Sequence, residues 1–312
     1  MNSKNLHYLY YVEYFTDIEF TDPKKTKNAE KLSERNEELC RFYNRAMPLL
    51  HETIAPQRFS LTTVYPGLLV GTGALHGFGA EGEAALGLTF DYVTGGVYIP
   101  SSSVKGKLRS AFTHPEYIRM LLLNLKIENA ETFEIVDLET SIFGPSLKDP
   151  TTVIAPSARD CFFDAVCTSN GKVLGMDNLT PHRQNPELLE LAAPNPLTML
   201  KIRPDVEFCF QFRLTDYQKG ACILTAEQKK ELFMRILMDL GIGAKTNVGY
   251  GILKSRVRKR QKYSRPNLRN PWKESAVAVV EKRELIAKQM NTIHIVMCAA
   301  PRREKDNEPF YF

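Results

Sequence analysis

Hydrophobic positions along this chain change period several times, and each change marks an element. Over residues 28–50, Leu32, Leu39, Phe42, Tyr43, Ala46 and Met47 recur near helical spacing between Glu30, Glu34, Glu37 and Glu38. That pattern predicts an amphipathic helix, ended or kinked by Pro48. From Arg58 to Val70 the residues are of β type, with Phe59, Leu61, Val64, Tyr65, Leu68, Leu69 and Val70, so a strand with a break at Pro66-Gly67 is expected. A glycine-rich loop follows over residues 71–82. Ser101-Ser102-Ser103 then offers hydroxyls to cap a helix whose core stripe is Val104, Leu108, Ala111 and Phe112, leaving Lys105 and Arg109 on an adjacent face. A second amphipathic stretch runs from Glu116 to Lys126.

Further strands are predicted from Asp160 to Cys167 and from Val206 to Leu214, the latter alternating Phe208, Phe210 and Phe212 against Cys209, Gln211 and Arg213. Between them, residues 168–204 carry Pro181, Pro186, Pro194, Pro196 and Pro204, too many for a regular element, and are read as a protruding insertion. A helix starts at Thr225, with Gln228 completing a capping box and Phe233, Ile236, Leu237 and Leu240 facing the core, and ends at Gly241. The loop Gly241–Gly251 leads into a basic strand, and residues 261–312 form a polar, partly helical tail. Strand, helix, strand, strand, helix, strand is the order of an α+β, ferredoxin-like or RRM-like fold, with an antiparallel sheet and helices on one face. The expected organisation is an N-terminal helical extension (1–57), the α+β domain (58–260) and a C-terminal extension (261–312).

Composition narrows the class. With 312 residues, 43% hydrophobic and 25% charged, the chain is a folded globular protein rather than a disordered or fibrous one. No apolar stretch approaches the roughly 20 residues of a membrane span. The first twenty residues lack the basic start and apolar run of a signal peptide, so a cytoplasmic protein is expected. The six cysteines show no metal-ligand spacing and are expected to be reduced core thiols, with Cys161 and Cys167 facing the same side of one strand. No metal site or cofactor is predicted.

Charge is distributed unevenly. The net charge is +5, yet Lys245–Lys273 holds ten of the 41 basic residues and none of the 36 acidic ones, so the rest of the chain is net acidic. A basic excess confined to one stretch points to a polyanion. As a strand, residues 253–260 would place Lys254, Arg256, Arg258 and Arg260 on one face, a track for a phosphate backbone or equally a charged edge that resists strand pairing.

Both glycine loops fail as nucleotide motifs. His76 stands where the dinucleotide fingerprint after Gly71-Thr72-Gly73 needs glycine, and Ala244 replaces an essential glycine in Gly243-Ala244-Lys245-Thr246. What remains is backbone chemistry: glycines let amides turn toward an anion beside Lys245, or simply make a tight connection. The stretch Ser101–Lys107 likewise joins a helix N-terminus, hydroxyls and two lysines, a recipe for a phosphate site. Of the six histidines, His76 and His182 are the candidates for a metal-independent ribonuclease, in which imidazole deprotonates a 2′-hydroxyl.

The segment Tyr98-Ile99-Pro100-Ser101-Ser102-Ser103-Val104-Lys105-Gly106-Lys107-Leu108-Arg109-Ser110, followed by Gly241-Ile242-Gly243-Ala244-Lys245-Thr246-Asn247-Val248-Gly249-Tyr250-Gly251, resembles the RAMP superfamily proteins of CRISPR systems. Ser101 occupies a place where that motif usually has glycine. Gly71-Thr72-Gly73, Thr180-Pro181-His182 and Pro194-Asn195-Pro196 look most like the sixth subunit of type III-B (Cmr) effector complexes, and the resemblance spans roughly residues 58–258. It implies a non-catalytic, RRM-like subunit of a ribonucleoprotein in antiviral defence, which binds guide CRISPR RNA and caps the helical backbone at the guide 3′ end. The partners implied are target RNA, the repeating backbone RAMP subunit, the small helical subunit and another capping RAMP subunit. The residues expected at RNA are Ser102, Ser103, Lys105, Lys107, Arg109, Gly243, Lys245, Thr246, Asn247 and Tyr250, with Lys254, Arg256 and Arg258 of the basic strand as secondary candidates.

Overall fold

The computed structural model describes residues 5–21, 26–71, 76, 80, 82–86, 88–145, 160–179 and 197–255. All lie in the first of the two units into which the chain divides, Met1–Val257 and Arg258–Phe312. Arg256, Arg258, His182, Cys298, most of the first glycine loop, the Thr180–His182 and Pro194–Pro196 motifs and the tail fall outside the described residues.

In chain order the elements are α1 (Leu6–Tyr11), α2 (Thr26–Arg41), β1 (Gln57–Thr63), β2 (Ala84–Leu86), β3 (Tyr98–Ile99), α3 (Ser101–Ala111), α4 (Pro115–Asn124), α5 (Ile135–Phe143), β4 (Cys161–Phe162), β5 (Ala165–Cys167), β6 (Leu174–Leu179), β7 (Leu197–Ile202), β8 (Glu207–Arg213), β9 (Tyr217–Lys219), β10 (Cys222–Leu224), α6 (Ala226–Leu240) and β11 (Leu253–Ser255). The main sheet has the order β11-β1-β8-β5-β3, with β4 also paired to β8, and its pairings are antiparallel. Taking β1, β4–β5, β8 and β11 as the four core strands in chain order, the sheet runs fourth, first, third, second. With α3 after β1 and α6 after β8, this is the expected α+β, ferredoxin-like arrangement.

Alternation in β8 determines where the core lies. Phe208, Phe210 and Phe212 are fully buried on the helical side, where Phe212 and Phe162 meet Phe233 of α6 at 5.6 and 5.8 Å. Helix α3 contributes the predicted stripe of Val104, Leu108 and Ala111, with Phe112 just beyond it. Helix α6 opens on the predicted capping box, the Thr225 hydroxyl accepting from the Gln228 backbone amide and Gln228 Oε1 accepting from the Thr225 backbone amide. It stops at Gly241, whose φ of +63° suits glycine.

The opposite face of the sheet is covered rather than open. The Leu50 amide donates to Gln211 Oε1 at 2.8 Å, the Arg58 guanidinium donates to the Leu50 and Ala55 carbonyls, and Met47 packs on Gly96. Helix α2 therefore ends at Arg41 instead of running toward Pro48. Asn44 and Gly171 exchange backbone hydrogen bonds, and these compete successfully for the chain that helical spacing alone assigned to α2.

Other sequence expectations are corrected in the same way. The strand from Arg58 ends at Thr63, because the Gly67 amide turns back to the Val64 carbonyl and Leu68 then pairs with Ile202. The strand predicted from Asp160 to Cys167 is interrupted: Phe162 pairs with Phe212 but Val166 pairs with Cys209, a one-residue shift that turns Cys161 and Cys167 to opposite faces. The region read as an irregular insertion contains the β6–β7 hairpin, with β2 parallel to β7, and buries Leu174, Leu200 and Ile202. The N-terminal segment also joins the core through Leu6, Leu9, Tyr10 and Tyr14. The five described cysteines are free thiols, and no helix among the described residues is long and apolar enough to cross a membrane.

Candidate nucleic-acid interface

Helix α3 begins at the outer edge of the sheet, directly after β3. Its N-cap is Pro100, and the Ser101 amide donates to Asp164 Oδ1 at 2.7 Å. The expected serine cap is thus replaced by a carboxylate, which occupies the position that favours an anion at a helix start. Ser102 is exposed and Ser103 half-buried, with the Ser103 amide folded back onto the Pro100 carbonyl. The Lys105 ammonium lies 5.8 Å above the Phe162 ring. Lys107 is half-buried, and burial lowers the pKa of its ammonium. Arg109 is committed elsewhere: its Nε donates to Glu139 Oε1 at 2.9 Å and its guanidinium reaches the Gly144 carbonyl, tying α3 to α5. That pair gives Arg109 a role between the two helices besides the one expected of it at RNA.

The second motif lies at the other edge, feeding β11. The loop from Gly241 to Gly251 closes on itself, with the Ile242 amide donating to the Gly251 carbonyl at 3.0 Å and the Gly251 amide donating to Gly67 at 2.8 Å. A Cβ on Gly251, at φ +74°, would stand 1.9 Å from the Ile242 carbonyl oxygen, and one on Gly243 would stand 2.2 Å from that of Leu69. These glycines serve the chain's own close crossings, so the tight-connection reading accounts for Gly243. The same crossings pin what they flank. Lys245 adopts the left-handed conformation, opens a 3-10 turn over Thr246–Val248 and stands exposed with Asn247, while Thr246 is half-buried.

Tyr250 does not reach the surface. It is buried, and its hydroxyl donates to Asp177 Oδ2 at 2.5 Å, which also accepts from Lys201 Nζ at 2.6 Å. The Lys201 ammonium sits 5.9 Å above the Tyr250 ring. Burial raises the pKa of the Tyr250 phenol, reinforced by the bond to Asp177 and its negative charge. For Asp177, burial acts upward but is outweighed by hydrogen bonds from Lys201, Tyr250 and the Asn178 amide, leaving its pKa lowered. Tyr250 is therefore a clamp between the loop and the β6–β7 hairpin. On β11, Lys254 pairs with Thr62 in register and its ammonium meets Asp205 Oδ1 at 2.8 Å, both side chains exposed.

The first motif follows β3 at one edge of the sheet and the second feeds β11 at the other, with Lys105 reaching under β4, which pairs with the middle strand β8. His76 is buried, stacked on Tyr10 at 3.8 Å between centroids and surrounded by Tyr11, Tyr14 and Phe15. Burial lowers its pKa to about 4, with a hydrogen bond to the Tyr10 backbone acting weakly the other way. Among the described residues no group of three or more His, Cys, Asp or Glu could hold a metal ion.

Sequence reasoning missed Tyr65. Counted as part of a strand, it stands 79% exposed on the turn beside the second motif. The signal available was its place immediately before Pro66-Gly67, a turn dipeptide that carries a neighbouring side chain out of a sheet.

The family model of the RAMP superfamily matches residues 60–254. No curated protein matches the chain. Among solved structures, the chain is similar to one from the cryo-EM structure of the type III-B Cmr-beta bound to cognate target RNA, with 20% identity over 80% of this chain and 84% of that one and a TM-score of 0.44. It is also similar to the crystal structure of Cmr6 from Pyrococcus furiosus, with 21% identity over 67% of this chain and 100% of that one and a TM-score of 0.36. The family assignment rests on the family model alone.

Proposed function

From the premise that this chain belongs to the RAMP superfamily, we propose that it is a non-catalytic RNA-binding subunit of a type III-B CRISPR interference complex, capping the complex backbone at the 3′ end of the guide RNA. The observation that carries the reading is the second motif. Its glycine crossings hold Lys245 and Asn247 outward on a turn fixed by backbone bonds to residues 67 and 69. A fixed exposed cation beside polar side chains contacts phosphates without reading bases, so binding is sequence-tolerant and weakens with salt. In this reading Lys105, Lys107 and Ser102 form a second patch, toward the guide or a neighbouring subunit. The partners are guide RNA, target RNA, the repeating backbone RAMP subunit, the small helical subunit and another capping RAMP subunit.

The alternative, a metal-independent guide-processing endoribonuclease, would need an accessible imidazole. The burial of His76 under four aromatic rings counts against that residue, and His182 falls outside the described residues. The test incubates the purified protein with end-labelled single-stranded guide RNA, with and without chelator, on native and denaturing gels. A salt-sensitive shift with intact RNA supports the binding role. Cleavage that survives chelation supports the ribonuclease instead, and RNA that stays intact and unshifted removes both activities from the isolated chain.

A further inference from the structure

We infer that Tyr65 is a stacking platform for an unpaired base of the RNA that the Lys245 loop holds by its phosphates, an assignment that rests on the RNA-binding reading above. Burying an aromatic face is favourable, so an exposed ring beside an exposed cation offers a surface to a flat partner. Tyr65 is 79% exposed, and Val248, across the same junction, is 69% exposed.

The backbone that carries the ring is held in place. The Val64 amide donates to the Ile252 carbonyl at 3.0 Å, the Gly67 amide returns to Val64 at 2.8 Å, and the Gly251 amide donates to Gly67 at 2.8 Å. A Cβ on Gly249 would stand 3.6 Å from Pro66 Cδ. Tyr65 thus projects from a turn bonded on both sides to the limb of the loop that follows Lys245, Thr246 and Asn247. The arrangement combines the two parts of a single-strand site, an exposed cation for the backbone and an exposed aromatic face, carried on a fixed turn, for a base.

The chemistry favours RNA over an apolar protein segment as the occupant. The polar neighbours in the loop are a cation, a hydroxyl and an amide, and the turn Thr246–Val248 carries no acidic residue, so charge complementarity selects an anionic strand. Tyr250, the aromatic residue of the motif itself, is buried and cannot serve. Stacking requires only a π-face, so the site tolerates any base.

The test measures binding of the full chain to an unstructured, fluorescently labelled single-stranded RNA at several salt concentrations. Tyr65→Ala is expected to weaken binding about 5- to 150-fold, the range for loss of one base–aromatic stack, with the salt slope unchanged because no phosphate contact is lost. Tyr65→Phe is expected to bind like the parent, since the ring and not the hydroxyl is used. Parent-like binding by Tyr65→Ala overturns the inference while leaving the RNA-binding role intact. Equal loss in Tyr65→Phe and Tyr65→Ala also overturns it, because a hydroxyl contact would then be responsible. Absence of RNA binding by the parent protein overturns both.

Discussion

Tyr250 donates its hydroxyl to Asp177 at 2.5 Å, a contact that joins the motif loop to the β6–β7 hairpin. Lys201 completes the arrangement from the same hairpin. Removing the hydroxyl in Tyr250→Phe leaves Asp177 with Lys201 and the Asn178 amide, so the expected cost is about 1–2 kcal/mol. Urea denaturation reads it. A variant as stable as the parent would show that the clamp contributes nothing to holding the loop.

Lys245 and Arg109 are both basic residues in motifs, and the structure gives them different work. Lys245→Ala is expected to weaken RNA binding across all sequences and to reduce the salt slope by about 0.7, the contribution of one single-strand phosphate contact. Arg109→Ala strips Glu139 of its partner and is expected to lower the melting temperature while leaving RNA affinity near that of the parent. The reverse pattern in paired melting and binding titrations would refute the division.

His76 makes stability depend on pH. Its folded pKa is about 4 against an ordinary 6.5, so between those values the unfolded chain binds the proton and the folded chain does not. Stability is therefore complete above about pH 6.5 and falls as pH drops toward 4, by up to about 3 kcal/mol. Denaturant titrations at pH 7.5 and 4.5 measure the loss. His76→Phe, which keeps a ring against Tyr10, is expected to remove most of it.

Lys229 and Asp160 form a buried ion pair at 2.8 Å, and Asp160 Oδ1 also accepts from the Thr215 amide and hydroxyl. Lys229→Met leaves that carboxylate buried without its cation and is expected to cost about 3–5 kcal/mol. The unfolding midpoint in urea checks it.

Two motif glycines separate by the same reasoning. A Cβ on Gly106, in the middle of α3, would meet nothing within 4 Å, so Gly106→Ala is expected to stabilise the fold by about 0.5–1 kcal/mol. Gly251→Ala must push a Cβ into the Ile242 carbonyl and is expected to cost about 3 kcal/mol or more. Thermal melts of the two variants should move in opposite directions.

Local information carried much of the architecture. The helix from Ala226 to Leu240, its capping box and its glycine stop were legible, because each depends on residues within four positions of one another. The alternation of Phe208, Phe210 and Phe212 was legible for the same reason. The end of α2, the shift between β4 and β5 and the β6–β7 hairpin were not, since each is set by a partner more than fifteen residues away along the chain.

The candidate site divides along the same line. By itself the sequence determined that a basic, glycine-rich loop follows a helix and enters a strand, that its residues match the RAMP pattern, and that Lys245 stands among them. Only the tertiary structure decided which of those residues face water. Burial depends on what packs across the sheet, and residues distant in sequence spent Arg109 on Glu139 and Tyr250 on Asp177 while leaving Tyr65 in solvent. A motif specifies residue types and spacing. Exposure belongs to the whole fold.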